Sequence, residues 1–394
     1  MIRTVTIRGF KSIQEASIEL GRLNCFIGAN GVGKSNVLEA IGVLGAAANG
    51  VVDDESLLRR GVRPGPPRLY KSSFEASTTP PHIFVGAVGD GAEEYRVALL
   101  NPLSSPEPAW SYKTEILKDA LGEVVSDGVR NKKNLNPQAG LAALSVVELA
   151  PDRDAARLME CLKQYAIYCP NTPSLRGLVP DQQSRTPVGL SGGGLADGFQ
   201  LLQQSLSASE DGEEVLDGVL ELIDWVSKVE ATSHGASLVS SKVPRTKQML
   251  KFTDRFMAKS RNELTAYDAS EGALYILFCA VLCLSSQSPK TFAVDNLDQA
   301  LNPRLLTRLT ARLAGWLMRA DPERQMLFTA HNPAVLDGLQ LEDPEVRLFA
   351  VERNSDGMTV FRRITLSPEL QTLNEQYPLS RLWMMGHLGA VPNV

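Results

Sequence analysis

Residues 28–35 constrain the fold of this chain more than any other stretch, because they read G-A-N-G-V-G-K-S and match the phosphate-loop pattern G-x4-G-K-[ST] without a gap. A short apolar run at residues 23–27 precedes the motif, and apolar residues recur at helical spacing after it. Strand, glycine-rich loop and helix in this order form the context in which the motif binds nucleotide phosphates. The sequence therefore predicts an α/β fold with a P-loop.

The residue types of the loop explain its chemistry. Glycines let the backbone turn tightly, so that successive N–H groups and the positive end of the following helix point at phosphate oxygens. The ammonium of Lys34 would reach the β- and γ-phosphates, and the hydroxyl of Ser35 would occupy one coordination position of a magnesium ion. The nucleotide-binding residues predicted in this segment are Gly28, Asn30, Gly31, Gly33, Lys34, Ser35 and Asn36.

Length and composition set the outer limits. With 394 residues, of which 43% are hydrophobic, the chain can bury a large core and is expected to form two lobes. Its net charge of −5 argues against a protein that coats nucleic acid through a generally basic surface. The start does not resemble a signal peptide, and the longest uncharged apolar segment is too short to span a bilayer. Five scattered cysteines are expected to be reduced core residues. These features favour a cytoplasmic location without a membrane anchor.

The pattern along the chain changes twice and predicts three regions. Residues 1–120 alternate in short runs, which predicts a hairpin, the P-loop and an antiparallel meander. Residues 121–260 carry apolar residues three or four apart, which predicts a helical insert. Residues 261–394 return to alternating strands and helices. The meander strands are expected at residues 73–75, 82–88, 95–100 and 112–117, and the insert helices at residues 152–168, 195–206 and 215–229.

The predicted insert ends in a basic stretch. Residues 242–261 include seven basic residues and only one acidic residue, Asp254. Such a run can follow a nucleic-acid backbone, although an ordinary solvated surface is the simpler interpretation. Direct contact with DNA is therefore kept as an alternative. The basic residues are Lys242, Arg245, Lys247, Lys251, Arg255, Lys259 and Arg261.

Two segments compete for the signature motif of transporter-type ATPases. Residues 190–194 spell L-S-G-G-G but lie far before the acidic strand that the motif should closely precede, so they predict a flexible connector. Residues 269–272 read A-S-E-G and stand directly before an apolar helix. There Ser270 and Gly272 would present a hydroxyl and backbone N–H groups to the γ-phosphate of a nucleotide held by another subunit. An ordinary helix cap explains Ser270 equally well.

The C-terminal region supplies the acidic and sensor positions of a P-loop site. An apolar strand at residues 291–294 ends in Asp295, where a magnesium contact is expected. The next strand, at residues 325–330, ends in His331, where a γ-phosphate sensor would stand. Further strands are predicted at residues 346–351 and 359–364, followed by helical segments between residues 370 and 385 that Pro378 interrupts.

Taken in order, these motifs resemble the RecF-like and SMC-like branch of the ABC ATPases. The residues that carry the resemblance are G-F-K-S at 9–12, the P-loop, A-S-E-G, F-A-V-D-N-L-D at 292–298 and T-A-H-N-P at 329–333. More narrowly, the chain looks like the stand-alone bacterial AAA family ATPases of anti-phage defence systems, relatives of the ATPase half of the OLD nucleases. The resemblance implies an ATPase head with a mixed sheet, flanking helices and an antiparallel β lobe, formed from both ends of the chain.

The resemblance also implies ATP and Mg²⁺ as cofactors and a homodimer whose heads close face to face around two ATP molecules. Each nucleotide would lie between Lys34 and Ser35 of one protomer and Ser270 and Gly272 of the other, with Ser35 and Asp295 holding the metal. Dimer geometry would then report whether the γ-phosphate is present. In this family such heads serve DNA transactions or control a partner effector, commonly a nuclease.

One position departs from the family. The residue after the acidic strand's aspartate is normally a glutamate that polarises the attacking water, and here it is Asn296. Loss of a general base removes a factor of about 10² to 10⁴ in rate, so slow ATP turnover is expected. The predicted catalytic residues are Asp295, Asn296, Asp298 and His331, with Asp298 as an alternative residue for positioning water.

Four function classes follow. The first is an ATP-binding and ATP-hydrolysing switch that controls a separate effector, expected to be a nuclease, in anti-phage defence. The second is a RecF-like DNA-repair scaffold that binds duplex DNA through the basic stretch. An energising subunit of a transporter is disfavoured by the misplaced L-S-G-G-G, and a small-molecule kinase leaves Ser270, Asp295 and His331 unexplained.

Overall fold

The computed structural model describes residues 1–75, 77–127, 136–233, 238–240, 242 and 247–389. The strands are β1 (Ile2–Phe10), β2 (Ile13–Glu19), β3 (Leu23–Ile27), β4 (Ile83–Gly89), β5 (Glu94–Leu100), β6 (Ser111–Asp119), β7 (Gly122–Asp127), β8 (Ile167–Tyr168), β9 (Val226–Thr232), β10 (Met249–Asp254), β11 (Glu263–Thr265), β12 (Thr291–Val294), β13 (Gln325–Ala330), β14 (Val346–Arg353) and β15 (Thr359–Ile364). The helices are α1 (Lys34–Ala48), α2 (Asp54–Leu58), α3 (Leu141–Ser145), α4 (Asp154–Gln164), α5 (Thr172–Leu175), α6 (Leu195–Ser207), α7 (Gly212–Leu220), α8 (Glu271–Leu284), α9 (Pro303–Ala320), α10 (Pro368–Asn374) and α11 (Leu379–Met384).

A six-stranded sheet with the order β15-β14-β3-β13-β12-β8 forms the centre of the molecule. Its neighbouring strands run parallel except for the antiparallel pair of β14 and β15. Strand β3 from the N-terminal part lies between β13 and β14 from the C-terminal part. Both ends of the chain therefore build one sheet, as the resemblance implies. Helices on both faces bury these strands, which explains their unbroken apolar runs.

A second sheet, with the order β2-β1-β4-β5-β6-β7, is antiparallel throughout and confirms the predicted hairpin and meander. Helix α1 packs between this sheet and the central one. Its buried residues therefore occur all around the helix and not along one stripe. The expected strand at residues 73–75 is wrong, because this segment is an irregular connection.

Helix α8 covers the other face of the central sheet and packs against α6 and α9. Every residue from 273 to 284 is buried, so the apolar run is a core helix, as predicted from its length. Among the described residues, no helix combines the length and apolar character needed to cross a membrane. Four of the five cysteines are buried, whereas Cys169 is exposed.

The helical insert at residues 121–260 needs correction. Strand β7 extends the antiparallel sheet, and β8 joins the edge of the central sheet, so both belong to the head. Helix α6 confirms one predicted helix, but α4 ends at Gln164 and α7 ends at Leu220. Strand β9 follows α7 and pairs with β10 in a three-stranded sheet with β11. The buried residues of β9, Val226 and Val229, are three apart, so its burial pattern does not alternate, and its pairing with β10 decided the outcome.

The L-S-G-G-G segment is a connector between α5 and α6, as predicted, and hydrogen bonds hold its backbone, while its flexibility stays a prediction. The carboxylate of Asp181 accepts hydrogen bonds from the backbone N–H groups of Ser191 and Gly193 at 2.7 and 3.1 Å. Gly194 precedes α6 with φ +77°, a left-handed conformation that glycine adopts without strain. The segment shapes the connection between β8 and α6.

Candidate nucleotide site

The P-loop connects the end of β3 to the start of α1, as predicted. Gly28 has φ +154°, and a Cβ there would lie 2.2 Å from the carbonyl oxygen of Val351. Gly33 has φ +106°, and a Cβ there would lie 2.3 Å from Oγ1 of Thr359. Side chains are thus excluded by backbone conformation and by space. Because α1 begins at Lys34, its first backbone N–H groups face the loop, which favours an anion there.

Lys34 lies buried at the centre of the site. Its Nζ donates hydrogen bonds to the carbonyl oxygens of Gly28 and Ala29 at 2.8 Å each and lies 3.0 Å from Nδ1 of His331. Burial lowers the pKa of Lys34 to about 8, while the charges of Asp295 and Asp298 oppose that shift. A phosphate would restore the favourable electrostatic environment that burial removes, so the ammonium group fits a polyphosphate ligand.

Ser35 and Asp295 meet although they are far apart in the chain. Oγ of Ser35 donates to Oδ1 of Asp295 at 2.9 Å, and Oγ1 of Thr329 donates to the same oxygen at 2.5 Å. A hydroxyl and a carboxylate are hard oxygen ligands, the kind that Mg²⁺ prefers beside a triphosphate. The two predicted metal ligands therefore fit the ion in type and placement, and they would hold it between the P-loop and the end of β12.

Asn296 is held by its neighbours from three directions. Its backbone N–H donates to Oγ1 of Thr329 at 2.8 Å, and its carbonyl oxygen accepts from the hydroxyl of Tyr275 at 3.1 Å. Its Oδ1 lies 3.0 Å from Nε2 of His331. The residue has φ +58°, a left-handed conformation that asparagine tolerates better than most residues. The departure from glutamate therefore sits in a constrained backbone.

These contacts fix the tautomer of His331. The ammonium of Lys34 has only protons to donate, so Nδ1 must accept, and Nε2 carries the proton that it donates to Oδ1 of Asn296. Burial and the charge of Lys34 lower the pKa of His331 below its ordinary value, although nearby aspartates oppose the shift. The imidazole is therefore neutral near pH 7.

Asp298 contacts the loop that carries His331. Its Oδ2 accepts the backbone N–H groups of His331 and Asn332 at 2.9 and 2.6 Å, so it orders the loop that carries the histidine. Its Oδ1 is buried and has no hydrogen-bond partner in the structure. Asp298 therefore supports the position of His331, and its role in positioning water stays a prediction.

Ser270 and Gly272 lie at the start of α8, on an exposed face. Oγ of Ser270 accepts the backbone N–H of Ala273 at 3.3 Å, so the residue is also a helix cap. Both residues line a cavity of about 440 Å³ together with Trp225 and Asn302. Within the described ranges, no hydrogen bond or ion pair joins Ser270 or Gly272 to the P-loop. Their contact with a nucleotide held by another subunit therefore stays a prediction.

Several residues of the site gave little signal in the sequence. Thr329 and Tyr275 orient Asp295 and Asn296, as described above. Arg353 donates from Nε and Nη2 to the carbonyl oxygen of Gly31 at 3.1 and 2.9 Å. Ser12 contacts Oγ1 of Thr359 at 2.6 Å beneath Gly33. Only Ser12 and Thr329 had a signal, because they belong to the G-F-K-S and T-A-H-N-P motifs.

A basic pocket of about 490 Å³ adjoins the P-loop and was not predicted. Asn36 and Ser12 line it next to the loop, and Tyr70 and Phe74 supply aromatic surface. Among its lining residues there is no aspartate or glutamate. The pocket adjoins the P-loop through Asn36, the residue that follows Ser35. Its cationic residues are Lys11, Arg63, Arg68, Lys71 and Arg353.

The basic stretch at residues 242–261 is less available than its sequence suggests. Lys251 forms ion pairs with Glu230 and Glu263, and a guanidinium nitrogen of Arg255 donates to the carbonyl oxygen of Val226. Lys259 and Arg261 are exposed on the loop between β10 and β11, and Lys242 and Lys247 are exposed before β10. Arg245 lies outside the described residues. DNA contact through this stretch stays a prediction.

Comparisons with known protein families agree with this geometry. Residues 1–58 match the family described as AAA ATPase domain. Residues 197–337 match the family described as AAA domain, putative AbiEii toxin, Type IV TA system. Lys34 and Ser35 lie in the first match, and Asp295 and His331 lie in the second, so both matches contribute residues to the site.

A curated relative is the DNA replication and repair protein RecF of Phocaeicola vulgatus, which is 31% identical over 64 residues. That match covers 16% of this chain and 17% of the relative, so the chain corresponds to about a sixth of RecF's length.

Solved structures extend the comparison to the whole fold. A structure described as the SmcHead bound to the C-winged helix domain of ScpA has a TM-score of 0.55 at 12% identity and covers 94% of this chain and 99% of that one. An Smc head domain with an extended coiled coil, bound to the C-terminal domain of ScpA derived from Pyrococcus furiosus, has a TM-score of 0.52 at 10% identity, with 95% and 99% covered. At such identities the likeness concerns the fold.

Proposed function

We propose that this chain, an ATPase of the RecF/SMC-like ABC type, is an ATP-dependent switch whose heads pair around ATP and thereby control a separate effector. One observation carries the proposal: Lys34, Asp295 and His331 come from three separate segments and lie together in one cluster of side chains beside the P-loop. ATP with Mg²⁺ would supply the phosphoryl group whose presence the switch reports. Defence against phage is the setting that we propose for it.

In this arrangement Lys34 leaves the carbonyl oxygens of Gly28 and Ala29 for the ligand's phosphates. That movement frees Nδ1 of His331, which is neutral and can then accept a proton or a hydrogen bond at the γ-phosphate. Ser35 and Asp295 would hold the metal. The position of His331 depends on Lys34 and Asn296 at once, so the histidine is suited to sense the terminal phosphate.

Turnover is proposed to be slow. The amide of Asn296 cannot take a proton from water, and its Oδ1 already accepts from His331. A bound ATP would therefore persist, and a long-lived closed state suits a switch better than a motor. The same reasoning makes ATP binding, and not its cleavage, the first event that changes the protein.

Head pairing would place Ser270 and Gly272 of the second protomer against the γ-phosphate. Among the described residues these two form no hydrogen bond with their own P-loop, and they lie at the exposed N-terminus of a 14-residue helix. One matched family carries a toxin–antitoxin description, and this supports an effector-controlling role in defence. An effector of nuclease type is our proposal from the resemblance.

Light scattering with and without nucleotide tests the switch. We expect a monomer without nucleotide and a dimer with ATP and Mg²⁺, while ADP leaves the monomer in place because it lacks the γ-phosphate that both protomers would share. A mass that does not respond to ATP, in a protein shown by calorimetry to bind ATP, would contradict the proposal. Purification with the products of neighbouring genes tests the effector, and a chain that never associates with another polypeptide counts against it.

A RecF-like scaffold that binds duplex DNA is the second candidate. The observations that favour it are the RecF match and the exposed Lys259 and Arg261 on the β10–β11 loop. DNA binding that needs ATP, weakens with salt and disappears when both residues are changed to glutamine would favour the scaffold. Binding that is indifferent to these changes would remove this loop as the contact.

A further inference from the structure

Glu39 is a buried carboxylate that was not predicted as a site residue and has no part in the proposed mechanism. It lies on α1 one helical turn after Ser35, and it is 3% exposed among apolar neighbours. Glutamate is almost never buried without partners, because removing its charge from water is costly. Its two partners are Lys11, which approaches one carboxylate oxygen, and Arg63, which approaches the other.

Lys11 is held in a demanding position. It lies in the turn between β1 and β2 with φ +48°, a backbone conformation that a lysine adopts only when its surroundings hold it there. Its Nζ lies 5.6 Å from the ring centre of Phe10 and 5.3 Å from that of Tyr70. Aromatic faces and one carboxylate thus surround the ammonium and fix its direction.

Both partners of Glu39 line the basic pocket, whereas Glu39 itself does not. The pocket wall carries five cationic side chains and no carboxylate, so the cations repel one another when no ligand is present. Glu39 is the carboxylate that reaches two of these cations from beneath the wall. It offsets their repulsion without itself lining the cavity.

We propose that Glu39 is a positioning residue of the nucleotide site, which holds Lys11 and Arg63 so that they bind the nucleoside end of the nucleotide, and this rests on the proposed function. Lys34 and Ser35 take the terminal phosphates on one side of Asn36. Lys11 and Arg63 then form the floor for the nucleoside on the other side. A planar guanidinium such as that of Arg63 suits contact with a base or ribose, provided that its direction is fixed.

Isothermal titration of purified protein with ATP and with inorganic tripolyphosphate tests this role. Tripolyphosphate carries the phosphates but no nucleoside, so it reports on Lys34 and Ser35 alone. For Glu39→Gln we expect the Kd for ATP to rise about tenfold, since a charge-assisted interaction is lost, while the Kd for tripolyphosphate stays within about twofold of wild type. Glu39→Asp should recover part of the ATP affinity. Glu55→Gln, which removes an exposed carboxylate from the nearby α2, should change neither ligand.

Arg63→Gln keeps the test valid if Glu39→Gln folds poorly, because the side chain of Arg63 is 68% exposed. It should weaken the binding of ATP but not that of tripolyphosphate, and the double variant should bind ATP little more weakly than either single variant. Two outcomes would overturn the role of Glu39 but not the proposed function. One is an equal loss of affinity for both ligands in Glu39→Gln, and the other is an unchanged ATP affinity in both Glu39→Gln and Arg63→Gln. A wild-type protein that binds no ATP would overturn the proposed function itself.

Discussion

Two regions of the proposed site differ in how many of their contacts are formed within one chain. The first is the P-loop wall, which consists of Lys34, Ser35, Asp295 and His331, and the second is the Ser270 face at the start of α8. In the wall, Lys34, Ser35, Asp295 and His331 are already joined by hydrogen bonds among themselves and their neighbours. At the Ser270 face, the hydroxyl contacts only the start of its own helix, and the surface is open. The wall is thus prepared for a ligand within one protomer. The Ser270 face carries a hydroxyl and a helix N-terminus that suit a phosphate, but among the described residues it forms no hydrogen bond with the P-loop.

The difference indicates how ATP would connect two copies of the chain. In the proposed switch, the buried wall would give the nucleotide its affinity, because preorganised charges lose little entropy on binding. The exposed face would add contacts only when a second protomer binds, so its contribution would appear as dimer stability. Variants of the wall should therefore change nucleotide binding, and variants of the face should change assembly.

The largest effect is expected for the wall. Lys34→Ala removes the ammonium that the γ-phosphate would pair with, and we expect ATP affinity to fall by about 100-fold or more, since a charge-assisted interaction is lost in a buried site. Titration calorimetry measures it. The matched control is Lys290→Ala, a surface lysine that pairs with Glu323 far from the loop. ATP affinity that survives Lys34→Ala would show that the wall does not bind the nucleotide.

Asn296→Glu should sharpen the account of the wall by raising turnover. A glutamate here regains the base that the family normally has, and we expect the rate of ATP hydrolysis to rise by about 10²-fold. The left-handed backbone at this position will cost some stability. A phosphate-release assay measures the rate, and Asn296→Gln serves as the uncharged control of equal length. A rate that is the same for both variants would place the slow step elsewhere.

For the Ser270 face we expect a smaller effect that is confined to assembly. Ser270→Asp keeps a good helix cap but brings a negative charge towards the partner's phosphates, so the ATP-dependent dimer should weaken by about tenfold or more. Ser270→Asn caps the helix equally well without charge and should dimerise more strongly. Sedimentation at several concentrations compares the two. Loss of ATP binding by the monomer would contradict the separation of wall and face.

The pH dependence of the wall is the smallest expected effect. Burial lowers the pKa of Lys34 to about 8 from 10.5, so ATP affinity should fall about tenfold between pH 7 and pH 9 as the free protein loses that proton. The unfolded chain keeps the proton in this window, so the contribution of Lys34 to the free energy of unfolding should rise with pH. Affinity and stability thus move in opposite directions. Lys34→Arg stays charged and should flatten the affinity profile, whereas a flat wild-type profile would contradict the lowered pKa.

The sequence determined the local parts of this protein. The glycines of residues 28–33 and the helix after them follow from short-range geometry, because side chains at Gly28 and Gly33 have no space and no allowed backbone. The strands before Asp295 and His331 were visible as apolar runs. The basic character of residues 242–261 was visible too, but not the pairing of Lys251 with two glutamates.

Only the tertiary structure decided which distant residues meet. The insertion of β3 between β13 and β14 places Ser35 beside Asp295, and no local pattern encodes that strand order. The same applies to β9, because its pairing with β10 outweighed an apolar spacing typical of a helix. It also applies to Glu39, because its partner Lys11 lies in the distant turn between β1 and β2. Local propensity acts over a few residues, whereas burial and ion pairing act between segments that the sheet brings together. The sequence therefore predicted the individual residues of the site, but not the contacts between them.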